Sequence, residues 1–432
     1  MNDTLSVNQV AERLGVKRET VYAYVSRGLL TNRRSPDGRT SLFDSARVER
    51  MAAQRRRPAP AGTGVGGSSP TIETSLTLLD GKAIYYRGLD SATLARSWPF
   101  EKVAWWLWAD SETVTADSIT ADWDTADGDR ALRCPPSIQA AVRPAVAALP
   151  HHARPIDRFR VAVAVASTAD PFRQDLRPSG VRRAAPGIVA TMIDALVPRS
   201  ADPQGGTNDD TAAARLWARL SARRPEDSLL RVLNGALVVL ADHDLVASTL
   251  AARMAASTRA DPYAVVLTGL GAMDGPYHAA SSVPAYRLLA AASEGLAPAD
   301  ALAAGLRQRG QPPGFGNPLY DQGDPRAHVL LDLIREAPVD PERLAVVDSV
   351  RAVAADRDWL PNVDFSLAAL AFTTNMLADA GEAVFAVARA AGWLAHAIEE
   401  YATPVGRFRL RGRYVGTPPV DVTGLASGAV VG

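Results

Sequence analysis

The chain has 432 residues, with 47 Lys+Arg balanced by 47 Asp+Glu, 22% charged and 47% hydrophobic residues. This composition excludes a mostly disordered chain and, at roughly 100–200 residues per domain, leaves room for two to four domains. One cysteine, Cys134, excludes an intramolecular disulfide framework and a Cys-cluster zinc site, and six histidines are too few for a His-rich metal tract. No apolar run approaches the ~18–20 residues of a membrane span. The N-terminal stretch MNDTLSVNQVAERLGV lacks the basic-then-apolar order of a signal peptide. A soluble, cytoplasmic protein is expected.

Charge is segregated along the chain. Residues 1–57 carry twelve Lys/Arg against six acids, a net +6 that the remainder cancels. Within them, LSVNQVAERLGVKRETVYAYVSRGLL predicts two short helices joined by a turn at Gly15. Ser6 is placed to cap the first, Val10, Ala11 and Leu14 form its apolar face, and Val16, Val21 and Tyr24 pack the second across it. The stretch NRRSPDGRTSLFD, with Asp37-Gly38 at its turn, predicts a hairpin with a basic edge. Over about residues 4–50 the module resembles the MerR/excisionase type of winged helix-turn-helix. That resemblance implies DNA contact through the start of the second helix, with Lys17, Arg18, Thr20 and Arg39 as the candidate contacts.

Residues 58–70, PAPAGTGVGGSSP, predict a flexible linker to a body over 71–432. The linker contains a literal G-x-G-x-x-G at Gly62, Gly64 and Gly67, but RRRPAPA precedes it and SSP follows. Without a strand before it and a helix starting on it, the dinucleotide reading fails. ETSLTLLDGKAIYYRG then alternates around Asp80-Gly81 as a short hairpin does. From about residue 90 onward the apolar spacing is helical almost everywhere, as in ALVVLADHDLVASTLAARMAA and FAVARAAGWLAHAIEEY. RSADPQGGTNDD, at 199–210, reads as a surface loop between two helices. The body is therefore expected to be all-α.

Four stretches of this body hold polar residues in apolar company: ADHDLVAST with His243, GPYHAASS with His278, PGFGNPLYDQGDPRA with Asn317 and Arg326, and PNVDFSL with Asp364. VARAAGW and RFRLRGRYVG add Arg389 and Arg409. Taken singly, each has an ordinary structural explanation. Together they suit proton abstraction next to a carbonyl: a carboxylate as base, histidines as donors to a developing oxyanion, and arginines that grip carboxylates in pairs.

In this order, and with IETSLTLLDGKAIYYRG and FEKVAWWLW before them, these stretches resemble the citrate synthase family over roughly 71–432. The resemblance implies an all-α homodimer with a large and a small domain, the small part at about 276–375. It implies condensation of oxaloacetate with an acyl-CoA, acetyl-CoA or propionyl-CoA, without a metal or cofactor. By the same resemblance Asp364 removes the methyl proton, and His278 hydrogen-bonds the enol(ate) oxygen. His243 contacts oxaloacetate, Arg326, Arg389 and Arg409 hold its carboxylates, and Gly314, Phe315 and Gly316 approach CoA. Three departures stand out. Asn317 stands where the family usually has a histidine that polarises the oxaloacetate carbonyl. An amide donates only a neutral hydrogen bond, so a rate loss of order 10²–10³ would be comparable to losing an oxyanion donor. Ala279 and Ala280 replace the usual glycines after His278, with Tyr277 before it where Leu is frequent, and Arg409-Leu410-Arg411 lacks the usual central proline. A regulator that pairs a ligand-sensing body with a DNA-binding head is the alternative reading.

Overall fold

The computed structural model describes residues 4–14, 18, 21, 25, 32–34, 41–45, 48, 72–110, 115, 119, 131–199, 211–275, 278, 281–406, 408, 415 and 416. The chain divides into two units, Met1–Glu73 and Thr74–Gly432. The linker expected at 58–70 lies outside the described residues.

In the first unit, β1 (Thr4–Ser6) runs into α1 (Val7–Leu14), followed by β2 (Asn32–Arg34) and β3 (Ser41–Asp44). Ser6 caps α1 as expected and does so reciprocally. Gln9 N donates to Ser6 Oγ at 3.5 Å while Ser6 N donates to Gln9 Oε1 at 2.8 Å, the arrangement of a capping box. The expected hairpin pairs β2 with β3, Asn32 opposite Phe43 and Arg34 opposite Ser41. β1, absent from the sequence reading, adds to the other edge of β3 and completes an antiparallel sheet in the order β1-β3-β2. Val7, Val10, Ala11, Val21, Phe43 and Val48 form the core of this unit. Val21 is fully buried, whereas Val16 and Tyr24 lie outside the described residues.

The second unit opens with the expected hairpin, β4 (Thr77–Leu79) against β5 (Ile84–Tyr86), extended by β6 (Leu89–Asp90). Gly81 takes φ +86° in its turn. Fifteen described helices follow. They are α2 (Ser91–Ser97), α3 (Phe100–Trp108), α4 (Pro136–Ala147), α5 (Pro155–Ala169), α6 (Pro178–Asp194), α7 (Ala212–Leu220) and α8 (Asp227–Leu240). Next come α9 (Ala247–Ser257), α10 (Pro262–Met273), α11 (Ser282–Ser293) and α12 (Pro298–Arg309). The last four are α13 (Pro325–Glu336), α14 (Pro341–Ala355), α15 (Val363–Thr373) and α16 (Ala380–Tyr401).

Local chemistry explains where many of these helices begin. Side chains of Asp90, Thr211, Asp261, Asp324, Asp340 and Asn362 accept from the first free amides of α2, α7, α10, α13, α14 and α15. Proline stands in the first turn of seven described helices, three of them (at Pro262, Pro325 and Pro341) among those just named, where its missing N–H is no loss. α16 is the axis of the body: 22 residues long and buried on every side, it packs against α3, α5, α6, α8, α9, α10, α11 and α15. A helix enclosed all round is apolar all round. The polar exceptions in α16, among them Glu382, Arg389, His396 and Glu400, therefore demand partners. Among the described residues no helix is long and apolar enough to cross a membrane.

Candidate active site

Arg389 sits midway along α16 with no exposure. Its Nε donates to Leu240 O at 2.8 Å, and its guanidinium lies 4.9 Å over the Phe385 ring. Nη1 and Nη2 are buried with no hydrogen-bond partner among the described residues. Burial pushes its pKa down to about 10, with Asp242 opposing that shift, so it stays charged at neutral pH.

Phe385, one turn before Arg389, presents its ring edge to His278 at 5.5 Å between centroids. His278 is half-buried, and its Nε2 lies 2.8 Å from Ser248 Oγ in the first turn of α9. Burial, then the positive Arg389 and Arg326, push its pKa down to about 4. His243 precedes α9, is 3% exposed and is held well below the ordinary imidazole range by burial and by the same two arginines. Both rings are thus neutral at pH 7, each with one N–H to donate and one lone pair to accept.

His243 Nε2 lies 2.6 Å from the hydroxyl of Tyr320, which is 4% exposed. Tyr320 closes a turn that Asn317 opens, its N donating to Asn317 O at 3.2 Å. The Asn317 amide folds into that turn: Oδ1 accepts from Leu319 N at 3.0 Å, and Nδ2 reaches Asp324 Oδ2 at 3.4 Å.

Asp324 ties these pieces together. It caps α13 and binds Arg326 bidentately, Nε to Oδ1 at 2.9 Å and Nη2 to Oδ2 at 2.7 Å. Its Oδ2 also accepts from Val363 N at 3.2 Å, which fixes the start of α15. Burial would raise the Asp324 pKa, but the Arg326 guanidinium overcomes it and holds the carboxyl below its usual value. Burial would likewise lower Arg326, and Asp324 reverses that shift.

Asp364 lies in the first turn of α15, half-buried, behind the Asn362 cap that accepts from Asp364 N at 3.0 Å and Phe365 N at 3.3 Å. The Gly314-Phe315-Gly316 loop is laced to the same corner. Asn362 N donates to Gly314 O at 2.9 Å, Asn362 Nδ2 to Gly316 O at 3.0 Å, and Gly316 N to Leu360 O at 2.8 Å. Both glycines have positive φ, +85° and +76°. At Gly314 a Cβ would also lie 2.8 Å from Phe365 Cβ, so the loop can approach α15 only without a side chain.

The expected site residues that are described fall into two groups: His243, Asn317, Arg326 and Asp364 with the Gly314–Gly316 loop, and His278 with Arg389, whose charge acts on His243. Arg409, Lys17, Thr20 and Arg39 lie outside the described residues, as do Tyr277, Ala279 and Ala280; Arg18 is described and exposed. Sequence reasoning missed Tyr320, Asp324, Ser248 and Phe385. Asp324 carried a readable signal, since Asp before Pro-Arg is a helix start. The other three did not.

The chain matches the family described as "Citrate synthase, C-terminal domain" over residues 67–410. The chain belongs to the citrate synthase family. Residues 4–56 match the family described as "Helix-turn-helix domain". Among curated relatives, a citrate synthase of Haloferax volcanii is 27% identical over 362 residues, covering 81% of this chain and 95% of the relative. A 2-methylcitrate synthase 2 of Corynebacterium glutamicum is 26% identical over 333 residues, covering 74% and 85%. Among solved structures, citrate synthase from Pyrobaculum aerophilum aligns with a TM-score of 0.65 at 23% identity, covering 90% of this chain and 96% of that one. A ternary complex of the Thermoplasma acidophilum citrate synthase with carboxymethyl coenzyme A and oxaloacetate aligns with a TM-score of 0.62 at 21% identity, covering 82% and 95%. These likenesses make the fold of the second unit that of citrate synthases.

Proposed function

We propose that this protein is a citrate synthase-type acyltransferase that condenses acetyl-CoA or propionyl-CoA with oxaloacetate, releasing CoA. The observation that carries this reading is Arg389, fully buried with both terminal nitrogens unpartnered. Buried charged N–H groups left without partners cost on the order of 3 kcal/mol, so the environment of these two nitrogens suits an anionic ligand. Arg326 lies close enough to lower the pKa of Arg389, and both arginines lower those of His243 and His278. An unpartnered guanidinium, a second arginine that Asp324 holds in place and two neutral imidazoles nearby fit a small carboxylate bearing a carbonyl.

Asp364 takes a proton from the carbon next to the thioester carbonyl. His278, neutral at working pH, donates a hydrogen bond to the resulting enol(ate) oxygen. That carbon attacks the oxaloacetate carbonyl carbon, whose π pair moves to oxygen and takes up a proton from solvent, and water then cleaves the thioester of citryl-CoA or its methyl homologue, releasing CoA thiol. His243, Arg326, Arg389 and Arg409 hold oxaloacetate, and Asn317 borders its carbonyl. The backbone of Gly314, Phe315 and Gly316 meets CoA. A cytoplasmic homodimer is the working form. Arg389→Met should abolish the rise in melting temperature that oxaloacetate produces in the wild type; an undiminished rise would contradict the assignment.

The helix-turn-helix match over residues 4–56, with the net +6 of residues 1–57, favours a second activity in the same chain: DNA binding regulated by the acid or acyl-CoA that the body holds. Duplex binding that falls steeply with salt and shifts on adding oxaloacetate is the expected result. No binding to any duplex at low salt would sink it.

A further inference from the structure

We propose that Tyr320, rather than Asn317, supplies the hydrogen bond to the carbonyl oxygen of the oxo-acid substrate. This deepens the condensation reading and rests on it. Asn317 and Tyr320 are the two ends of one turn, and they face different tasks. The Asn317 amide is drawn inward by Leu319 N and by Asp324, contacts that hold the loop. Tyr320 instead brings its hydroxyl to His243. The hydroxyl is 2.6 Å from His243 Nε2, the rings meet edge to face at 5.9 Å, and both arginines bear on the charge of the phenol.

His243 is neutral, so its Nε2 presents either a lone pair or an N–H. With the N–H at Nε2, the imidazole donates to the phenol oxygen, and the phenol's own proton is directed at the substrate. An anionic oxygen beside Tyr320 favours that arrangement, because it accepts more strongly than a neutral imidazole does. Burial pushes the phenol up to about 12, so it remains a donor throughout the neutral range. In the condensation the new carbon–carbon bond forms at the carbonyl carbon and the π pair goes to oxygen. Tyr320 stabilises that oxygen with a hydrogen bond and gives up no proton in the step. The donor that the family usually supplies at position 317 is then found three residues further on.

The test is a cycle of wild type, Tyr320→Phe, Asn317→His and the double variant, read as CoA thiol release over a range of acyl-CoA concentrations. Tyr320→Phe should lower kcat about 10²–10³-fold, the usual effect of removing an oxyanion donor, with KM for acyl-CoA little changed. In the Asn317→His background the same change should cost no more than about tenfold, because the imidazole then serves the carbonyl. A Tyr320→Phe enzyme within about threefold of wild-type kcat, or an equal loss in both backgrounds, would overturn the proposal. A readout independent of turnover is the ¹³C shift of the oxaloacetate ketone carbon when bound. Tyr320→Phe should move it back toward the free-solution position, and an unchanged shift would refute the assignment even in an enzyme without turnover. A wild type that binds no oxaloacetate at all would instead strike the condensation reading itself.

Discussion

Replacing Asp324 by Asn keeps the shape of the side chain and removes its charge. In the structure this carboxylate accepts from Arg326 N, Nε and Nη2, from Val363 N and from Asn317 Nδ2. An amide has one acceptor oxygen and would turn its NH2 toward groups that are themselves donors. Arg326, with a side chain only 6% exposed, would be left charged without its counterion. Breaking a buried ion pair from one side costs about 3–5 kcal/mol, well above the ~0–1 kcal/mol of an exposed pair. The effect is also pH-dependent with a definite sign. The folded-state pKa of Asp324 is depressed below its ordinary value of 3.8. Its contribution is therefore complete above that value and is lost as pH falls through the folded one. Urea unfolding of wild type and Asp324→Asn, at pH 7 and at intervals down to the acid limit of the fold, measures both aspects. The gap should be widest at neutral pH and close in acid. A gap of ~1 kcal/mol or less at pH 7 would mean the pair behaves as a solvated one, and a gap independent of pH would assign the loss to something other than charge.

Two further outcomes follow from particular contacts. Gly316→Ala should cost about 1–2 kcal/mol for a positive φ alone, since a Cβ there meets nothing within 4 Å. Gly314→Ala should cost a further ~1–3 kcal/mol for the contacts with Phe365 and Ala285, and equal melting shifts for the two variants would contradict the packing described. Glu382, 3% exposed, is pushed up to about 7 by burial, with Arg154 opposing and Asp274, Asp379 and Asp157 adding to it. The folded state thus keeps a proton that the unfolded chain releases, and this group's contribution to stability falls as pH rises from 4.5 through about 7, by roughly 3 kcal/mol. Glu382→Gln should flatten the stability profile over that window; an unchanged slope would place its ionisation elsewhere.

Elements that rest on local chemistry were legible before the structure. The helical spacing of the body, the Asp80-Gly81 turn, the Ser6 cap and the β2–β3 hairpin each follow from residues within a few positions of one another. β1 was not legible because its partner β3 lies far along the chain with no turn joining them, and β6 because two residues carry no pattern of their own. The site divides in the same way. Its chemistry-bearing residues stood out as polar groups in apolar runs, and their order suggested the family. The groups that hold them did not. His243 meets Tyr320 across 77 positions and Arg253 meets His396 across 143, so nothing in either segment announces the other. Asp242 shows the limit well: it looks like a loop acid, yet it is fully buried, bonded to Thr77 at 2.5 Å and to His396 at 3.2 Å, and it fixes the backbone that carries His243. The inward turn of Asn317 could not be read from its identity either, since an exposed and a folded-back amide have the same sequence.

Release of CoA thiol from acetyl-CoA or propionyl-CoA with oxaloacetate, for wild type beside Asp364→Asn, tests the central claim most directly. Steady, oxaloacetate-dependent release by the wild type is expected, and Asp364→Asn should abolish it while still binding oxaloacetate. A wild type as silent as Asp364→Asn with both acyl-CoA substrates would contradict it.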